Sequence, residues 1–254
     1  MSEQLWDKKA QKFPRFEKNT KDTLEILDFF RAQGVVFKDK HIVDIGAGNG
    51  RFALELAFEA RAVDTLDFSQ NMLDFLQTDA HTLGLHNIRT FVSKWEDFDV
   101  SLLGEIDIAF ASMTPALNTL AGFKKALSVA KEGLCYVGWG RVRQNAFLDE
   151  IFALHHISVE LPVGLPQVLK WLEEFGYKSL THCYKDANFT RTLNTQEAIE
   201  DIQWHIAMHQ AEPHLEQIQA YVESKQENGV IVYEQKREIG LCFIPPLAKK
   251  EEDK

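Results

Sequence analysis

The stretch His41-Ile42-Val43-Asp44-Ile45-Gly46-Ala47-Gly48-Asn49-Gly50-Arg51 decides the reading of this chain. An apolar run of strand length ends in three alternating glycines. Arg51 to Ala60 follows with Phe52, Leu54, Leu56 and Phe58, in a segment too rich in Ala, Leu and Glu for a strand. A strand that ends in glycines and opens into a helix lets a ligand approach the backbone without side-chain interference. In a parallel sheet that turn lies at the carboxyl ends of the strands, near the point where strand order reverses.

Two details narrow the ligand. Asp44 stands where dinucleotide sites carry an apolar residue, because a carboxylate would repel a pyrophosphate; it suits a ligand with a cationic amino group and a sulfonium. The spacing is Gly-x-Gly-x-Gly, which misplaces the third glycine of the nicotinamide fingerprint and disfavours an oxidoreductase. The next apolar run, Ala62 to Leu66, leads into Asp67-Phe68-Ser69. An acid at the tip of the second strand, ~20 residues beyond the glycines, can accept hydrogen bonds from both hydroxyls of a ribose. Ser69 is a suitable N-cap for a helix bearing Met72, Phe75, Leu76 and Leu83.

Working outward, strands and helices alternate. Thr23 to Ala32 reads as a helix, Ile88 to Val92 and Ile106 to Ala111 as strands, Phe123 to Lys131 as a helix stopped by Gly133, and Leu134 to Trp139 as a fifth strand. This order implies right-handed crossovers and a parallel sheet covered on both faces. Val168, Leu169, Trp171, Leu172 and Phe175 share one helical face, and Tyr177 to Tyr184 is strand-like. Asn194 with Glu197 resembles a capping box before a helix with Ile199, Ile202 and Ile206. Val230 to Tyr233 and Ile239 to Ile244 read as strands. No repeat or linker marks a second domain. Residues 1–248 are expected to form one domain, with a helical cap over 1–35, a candidate lid over 145–165, a helical insertion over 195–226 and a charged tail over 249–254.

The motifs resemble those of the class I S-adenosylmethionine (SAM)-dependent methyltransferases, over nearly the whole chain from about Trp6 to Pro245. Asp44 to Gly50 looks like the first motif of that family and Asp67 to Leu73 like its second. The resemblance implies an α/β fold with a Rossmann-like, seven-stranded, mostly parallel sheet, helices on both faces and a C-terminal antiparallel strand pair. Tyr177 to Tyr184 and Ile239 to Ile244 match that pair, and the insertion over Thr195 to Gln210 is similar to the small-molecule branch. By the same resemblance Gly46, Ala47 and Gly48 pass beside the methionine portion of SAM, with Asp44 near its amino group and Ser112 lining it. Phe68 and Met72 pack near the adenine, and Trp95 and Glu96 meet its edge. Trp6 to Ala10 with Phe13 is similar to the N-terminal segment that closes over the ligand.

The acceptor is expected to be a small molecule. Nucleic-acid amino-methyltransferases carry Asn/Asp-Pro-Pro-aromatic after the fourth strand, whereas this chain has Ser112-Met113-Thr114-Pro115-Ala116-Leu117 and no Cys nucleophile there. A net charge of −10 also argues against a phosphate backbone as partner. Trp139, Arg141 and Arg143 follow the fifth strand at the ligand edge, and Arg141 could grip an acceptor carboxylate bidentately. His155 and His156 are candidate bases, but packing or surface histidines fit as well. His205 and His209, four apart, lack the zincin glutamate and a third ligand. Asp107 reads as a structural carboxylate at a strand start. Alternatives within reach are a non-catalytic SAM-binding protein and a protein methyltransferase.

Met1 to Lys9 has no apolar core of signal-peptide length, and no run approaches ~20 apolar residues. Cys135, Cys183 and Cys242 are scattered and odd in number, as reduced buried thiols would be, so the cytoplasm is the expected compartment.

Overall fold

The computed structural model describes residues 3–10, 13–159 and 162–247. The tail expected over 249–254 lies outside them. Five strands run parallel: β1 (His41–Ile45), β2 (Ala62–Asp67), β3 (Ile88–Val92), β4 (Ile106–Ser112) and β5 (Ala130–Gln144). Three more follow: β6 (His182–Asp186), β7 (Phe189–Asn194) and β8 (Val230–Ile244). The main path is β3-β2-β1-β4-β5-β8-β6, in which β8 is antiparallel to both neighbours, and β7 pairs with the opening half of β8. The expected seven-stranded sheet with its antiparallel pair is therefore present, extended by β7.

Strand alternation divides the core. Ile42, Ile108, Phe110, Cys135, Val137, Ile239 and Leu241 face helices α2 (Lys21–Arg31), α3 (Arg51–Ala57) and α4 (Gln70–Thr82). Val43, Ile45, Ala109, Ala111, Leu134 and Tyr136 face α5 (Leu120–Val129) and α7 (Leu165–Glu174). Chain order reverses between β1 and β4, which opens a crevice at their carboxyl ends. α1 (Glu3–Ala10) lies against α4 above it. No helix among the described residues is long and apolar enough to cross a membrane.

Several elements differ from expectation. The helix expected to run to Lys131 ends at Val129, and Gly133 lies inside β5. There its φ is +134°, and a Cβ would stand 2.4 Å from the carbonyl of Ile244, so glycine allows close strand approach at a register shift and stops no helix. Tyr177 to Leu180 is a loop packed on the core, and only His182 onward is strand. Val230 to Tyr233 and Ile239 to Ile244 belong to one continuous strand, β8.

Residues 145–165 contain α6 (Ala146–Leu154), capped by Asn145. Phe147, Leu148, Ile151 and Phe152 are buried against α8 (Thr195–Met208), α9 (Leu215–Lys225) and the antiparallel β7–β8 pair, forming a third apolar cluster. The candidate lid and the helical insertion are thus one packed module. The capping box at the start of α8 forms as read, with Asn194 and Glu197 each accepting the other's backbone N–H.

Candidate functional site

The glycine turn is held from the second strand. The N–H groups of Gly46 and Ala47 both donate to the Leu66 carbonyl, at 2.7 and 3.0 Å, and Gly50 N–H closes the turn onto Ala47. Gly46 has φ +74°, and a Cβ there would lie 2.0 Å from Thr114 Oγ1. The glycine therefore makes room for the loop after β4. That loop bends at Met113, which has φ +51° although it is not glycine. Gly48 also has positive φ, but a Cβ there would meet nothing within 4 Å.

Asp67 sits at the tip of β2. One carboxylate oxygen accepts the Gly48 N–H at 2.9 Å and the other accepts the Ser69 N–H at 2.9 Å. Asp44 pairs with Thr65 across the β1–β2 ladder, and Asp67 is two residues past Thr65, so both carboxylates project to the same face. Both are buried. Burial pushes Asp44 up to about 7, reinforced by the charge of Asp67 and opposed by the Ala53 N–H that it accepts. Burial also raises Asp67, against the pull of its backbone donors. Among the described residues neither carboxylate has an ion-pair partner. Two desolvated, like-charged acids on one face call for a cationic or hydroxyl-bearing guest.

A cavity of about 260 Å³ adjoins Asp67, lined also by Gly46, Phe68, Glu96, Thr114 and Pro115 among others; Asp44, Ala47 and Gly48 lie outside its lining. That volume is just under the ~300–1,000 Å³ of a complete small-ligand pocket, room for the nucleoside part of a larger ligand. Thr114, Pro115, Ala116 and Asn118, with Ser93 and Lys94, were not among the expected site residues. The Thr114-Pro115 turn after the fourth strand was the available signal.

Ser69 caps α4 and also donates its hydroxyl to Asp7, while Asn71 donates to the Asp7 carbonyl. On the other side, Trp204 of α8 donates its indole N–H to the Leu5 carbonyl at 3.0 Å and meets the Trp6 ring edge-on. α1 therefore bridges the second motif and the insertion. Phe13 follows it, partly exposed, 6.4 Å from the Trp6 ring.

Other expected residues stand differently. Trp95 borders the cavity; its side chain is buried, stacks on Phe98 and donates to the Gly122 carbonyl at 2.9 Å, which fixes it in the wall. Met72 is buried beneath the start of α4 and is not among the residues lining the cavity. Ser112 is half-buried at the end of β4, on the same side as Phe110 and outside the lining. Trp139 bridges to Gly164 and carries the Arg143 guanidinium over its ring. Arg141 is not available as an acceptor clamp: Glu238 fills its fork at 3.0 and 2.8 Å, and its plane lies over Tyr184.

His155 accepts the His214 N–H, and His209 packs against Phe152. No group of three metal-ligating side chains occurs among the described residues. Asp107 accepts the His41 N–H at a strand start, and the three cysteines are free.

Comparison with known proteins follows the same lines. Residues 42–133, from β1 to the start of β5, match the methyltransferase domain family, whose cofactor is SAM. An uncharacterized protein of Haemophilus influenzae is 32% identical over 148 residues, 57% of this chain and 52% of that protein, so the chain spans about half the length of that curated relative. A candidate methyltransferase from Bacillus halodurans superposes with TM-score 0.52 at 16% identity, over 87% of this chain and 99% of that one. The YcgJ protein of Bacillus subtilis gives TM-score 0.51 at 14% identity, over 86% and 97%. Residues 42–133 thus match the methyltransferase domain family, and the sheet order around them gives the chain the fold of the class I SAM-dependent methyltransferases.

Proposed function

We propose that this protein takes SAM as methyl donor and methylates an N, O or S atom of a small molecule. The observation that carries the reading is the Asp44–Asp67 pair: two buried acids on one face, beside the glycine turn, with no cation among the described residues to pair with them. When bound, SAM supplies a methyl group on a cationic sulfur. Asp44 offers negative potential at the turn, toward the donor's amino group and sulfonium. Asp67, already oriented by Gly48 and Ser69, keeps lone pairs for ribose hydroxyls. Phe68, with Ser93 to Glu96 and Pro115, forms the walls for a planar base.

α1, tied down at both ends of the crevice, excludes water from it. Holding two reactants at near-attack distance can contribute ~7–11 kcal/mol, so the chain's task is mainly positioning, and a base is needed only for a nucleophile that arrives protonated. The acidity of the chain and the departure after β4 favour a small acceptor over nucleic acid, and the three scattered free thiols favour the cytoplasm as its place.

Calorimetry with S-adenosylhomocysteine (SAH) at ~100 μM protein should give saturable heat; its absence would sink the reading. Incubation with methyl-labelled SAM and a cell extract should then move label into the fraction below the size of a peptide. Label found only on protein would replace the small acceptor with a protein one. Binding with no label anywhere would leave a non-catalytic SAM-binding protein.

A further inference from the structure

Arg15, Arg31, Arg61, Arg89, Arg141 and Arg191 each hold a carboxylate within salt-bridge distance. Arg51, Arg143 and Arg237 hold none among the described residues. These three also lie together. Arg143 and Arg237 are direct partners across the β5–β8 ladder, and Arg237 is close enough to both Arg51 and Arg143 to feel their charge. Arg237 shares its strand face with Ile239 and Leu241, which pack toward α2 and α3, the side on which Asp44 projects.

Each guanidinium is anchored while its fork stays open. Arg51 Nε donates to Thr23 Oγ1 at 2.9 Å and the group lies 5.0 Å over Phe52. Arg237 Nε donates to the Ala187 carbonyl at 2.8 Å over the Phe189 ring. Arg143 stacks 4.5 Å over Trp139. None of their terminal N–H groups has a hydrogen-bond partner among the described residues. Burial lowers the pKa of all three, and for Arg237 the other two arginines add to it. The nearest acids, Asp22 and Asp149, act on them only at longer range. A second, independent sign lies two residues from Arg143: Asn145 is 5% exposed, and its side-chain amide nitrogen is buried with no partner.

Clustered like charges, partly desolvated and held by aromatic planes, are unfavourable unless an anion joins them. The planar guanidinium fork matches the oxygens of a phosphate or carboxylate. The cavity beside Asp67 lies over β2, β1 and β4, whereas this cluster lies over the start of α3 and the β5–β8 ladder, on the other side of the glycine turn. We infer that Arg51, Arg143 and Arg237 form the anion subsite of the methyl acceptor, which is therefore a small molecule bearing a phosphate or more than one carboxylate. The inference rests on the donor assignment above and places the acceptor's charged end opposite the nucleoside. The donor's own carboxylate is a competing source of the same chemistry, but a single carboxylate leaves more than one fork unfilled.

Inorganic phosphate is the probe. Thermal unfolding of the full chain is followed at constant ionic strength, with and without saturating SAH, against chloride as control. Phosphate should raise Tm both alone and on top of SAH. Arg143→Gln and Arg237→Gln should weaken the phosphate response at least about tenfold, while Arg61→Gln keeps it. Without phosphate both variants should be at least as stable as the parent, since each removes a like charge from the cluster; a purely structural arginine would lower Tm, and that result would overturn the assignment. A phosphate response no larger than chloride, or one abolished by SAH, would also overturn it, the latter by giving the cluster to the donor. If SAH itself does not bind, the donor reading fails first and the acceptor assignment falls with it, whatever phosphate does.

Discussion

Asp44 and Asp67 stand where apolar side chains would pack without penalty, and each leaves a measurable trace. Asp44 is raised to about 7 by burial, above the ordinary ~3.9 of an aspartate. A raised carboxyl stabilises the fold fully below the unfolded value, and that contribution is lost as pH rises through the folded one. The contribution of Asp44 to the stability of the ligand-free protein should therefore be lost between about pH 4 and 7. Asp44→Asn, which does not titrate, should gain on the parent across that window by an amount on the order of a few kcal/mol. Urea unfolding at pH 5 and pH 8 checks this, and an identical difference at both would contradict the burial of the charge. The same substitution should weaken SAH binding above pH 7. Asp67→Ala removes oriented, charged hydrogen-bond acceptors and should weaken SAH by roughly 10–100-fold, read by calorimetry. The two turn glycines should separate cleanly. Gly48→Ala meets open space and carries only the left-handed penalty, about 1 kcal/mol. Gly46→Ala adds a collision with Thr114 and should cost several times more, on the order of 3 kcal/mol, in chemical unfolding.

At the scale of elements, α1 is a short helix with little of its own to stabilise it. Its position depends on Asp7 against Ser69 and Asn71 on one side and Trp204 on the other. Trp204→Phe removes the indole donor to Leu5, a contribution of ~0.5–1.5 kcal/mol. Amide exchange within residues 3–10 should quicken and SAH affinity fall a fewfold, with the global unfolding midpoint nearly unchanged. Exchange that stays slow would show that α1 is held by other contacts. The element boundaries show which local signals suffice. Ser69 and the Asn194–Glu197 box act within one turn of backbone, and both are present. Gly133 carries the same local signal as a helix stop yet serves a strand, because the residue that requires it, Ile244, is 111 positions away. The strand face of Arg141 is equally remote in origin. β5 uses four steps from Trp139 to Arg143 where β8 uses two, from Ile239 to Arg237; this irregularity delivers Arg141 to Glu238 and Arg143 to Arg237.

The whole molecule is a covered sheet with a smaller module beside it. The central strands are sealed by two apolar clusters, while α6, α8, α9 and the β7–β8 strand pair share a third. Fewer buried side chains hold that module, so it should open at lower free energy than β1, β4 and β5. Native-state hydrogen exchange should show protection in 146–154 and 195–225 failing at a lower denaturant concentration than in 41–45 and 106–112. Coincident loss would mean that the molecule unfolds as one unit. Because Trp204 and Asn145 belong to this module, its opening would loosen α1 and the surroundings of the arginine cluster together.

The sequence by itself determined the parts whose causes are local. A strand, a turn of glycines, an acid at its head and another acid a strand later are written contiguously, and backbone geometry puts the two carboxylates on one face beside the turn. The alternation of strands and helices likewise dictates a parallel sheet, since no other arrangement buries both kinds of face. Only the tertiary structure decided which side chains turn toward the crevice. Trp95 goes into the core because Gly122 offers its indole a carbonyl, Arg141 is taken up by Glu238, and Arg143 meets Arg237 across the β5–β8 ladder. Such pairings depend on strand register and on bulges set by packing across the whole sheet. A pattern read along the chain does not contain them.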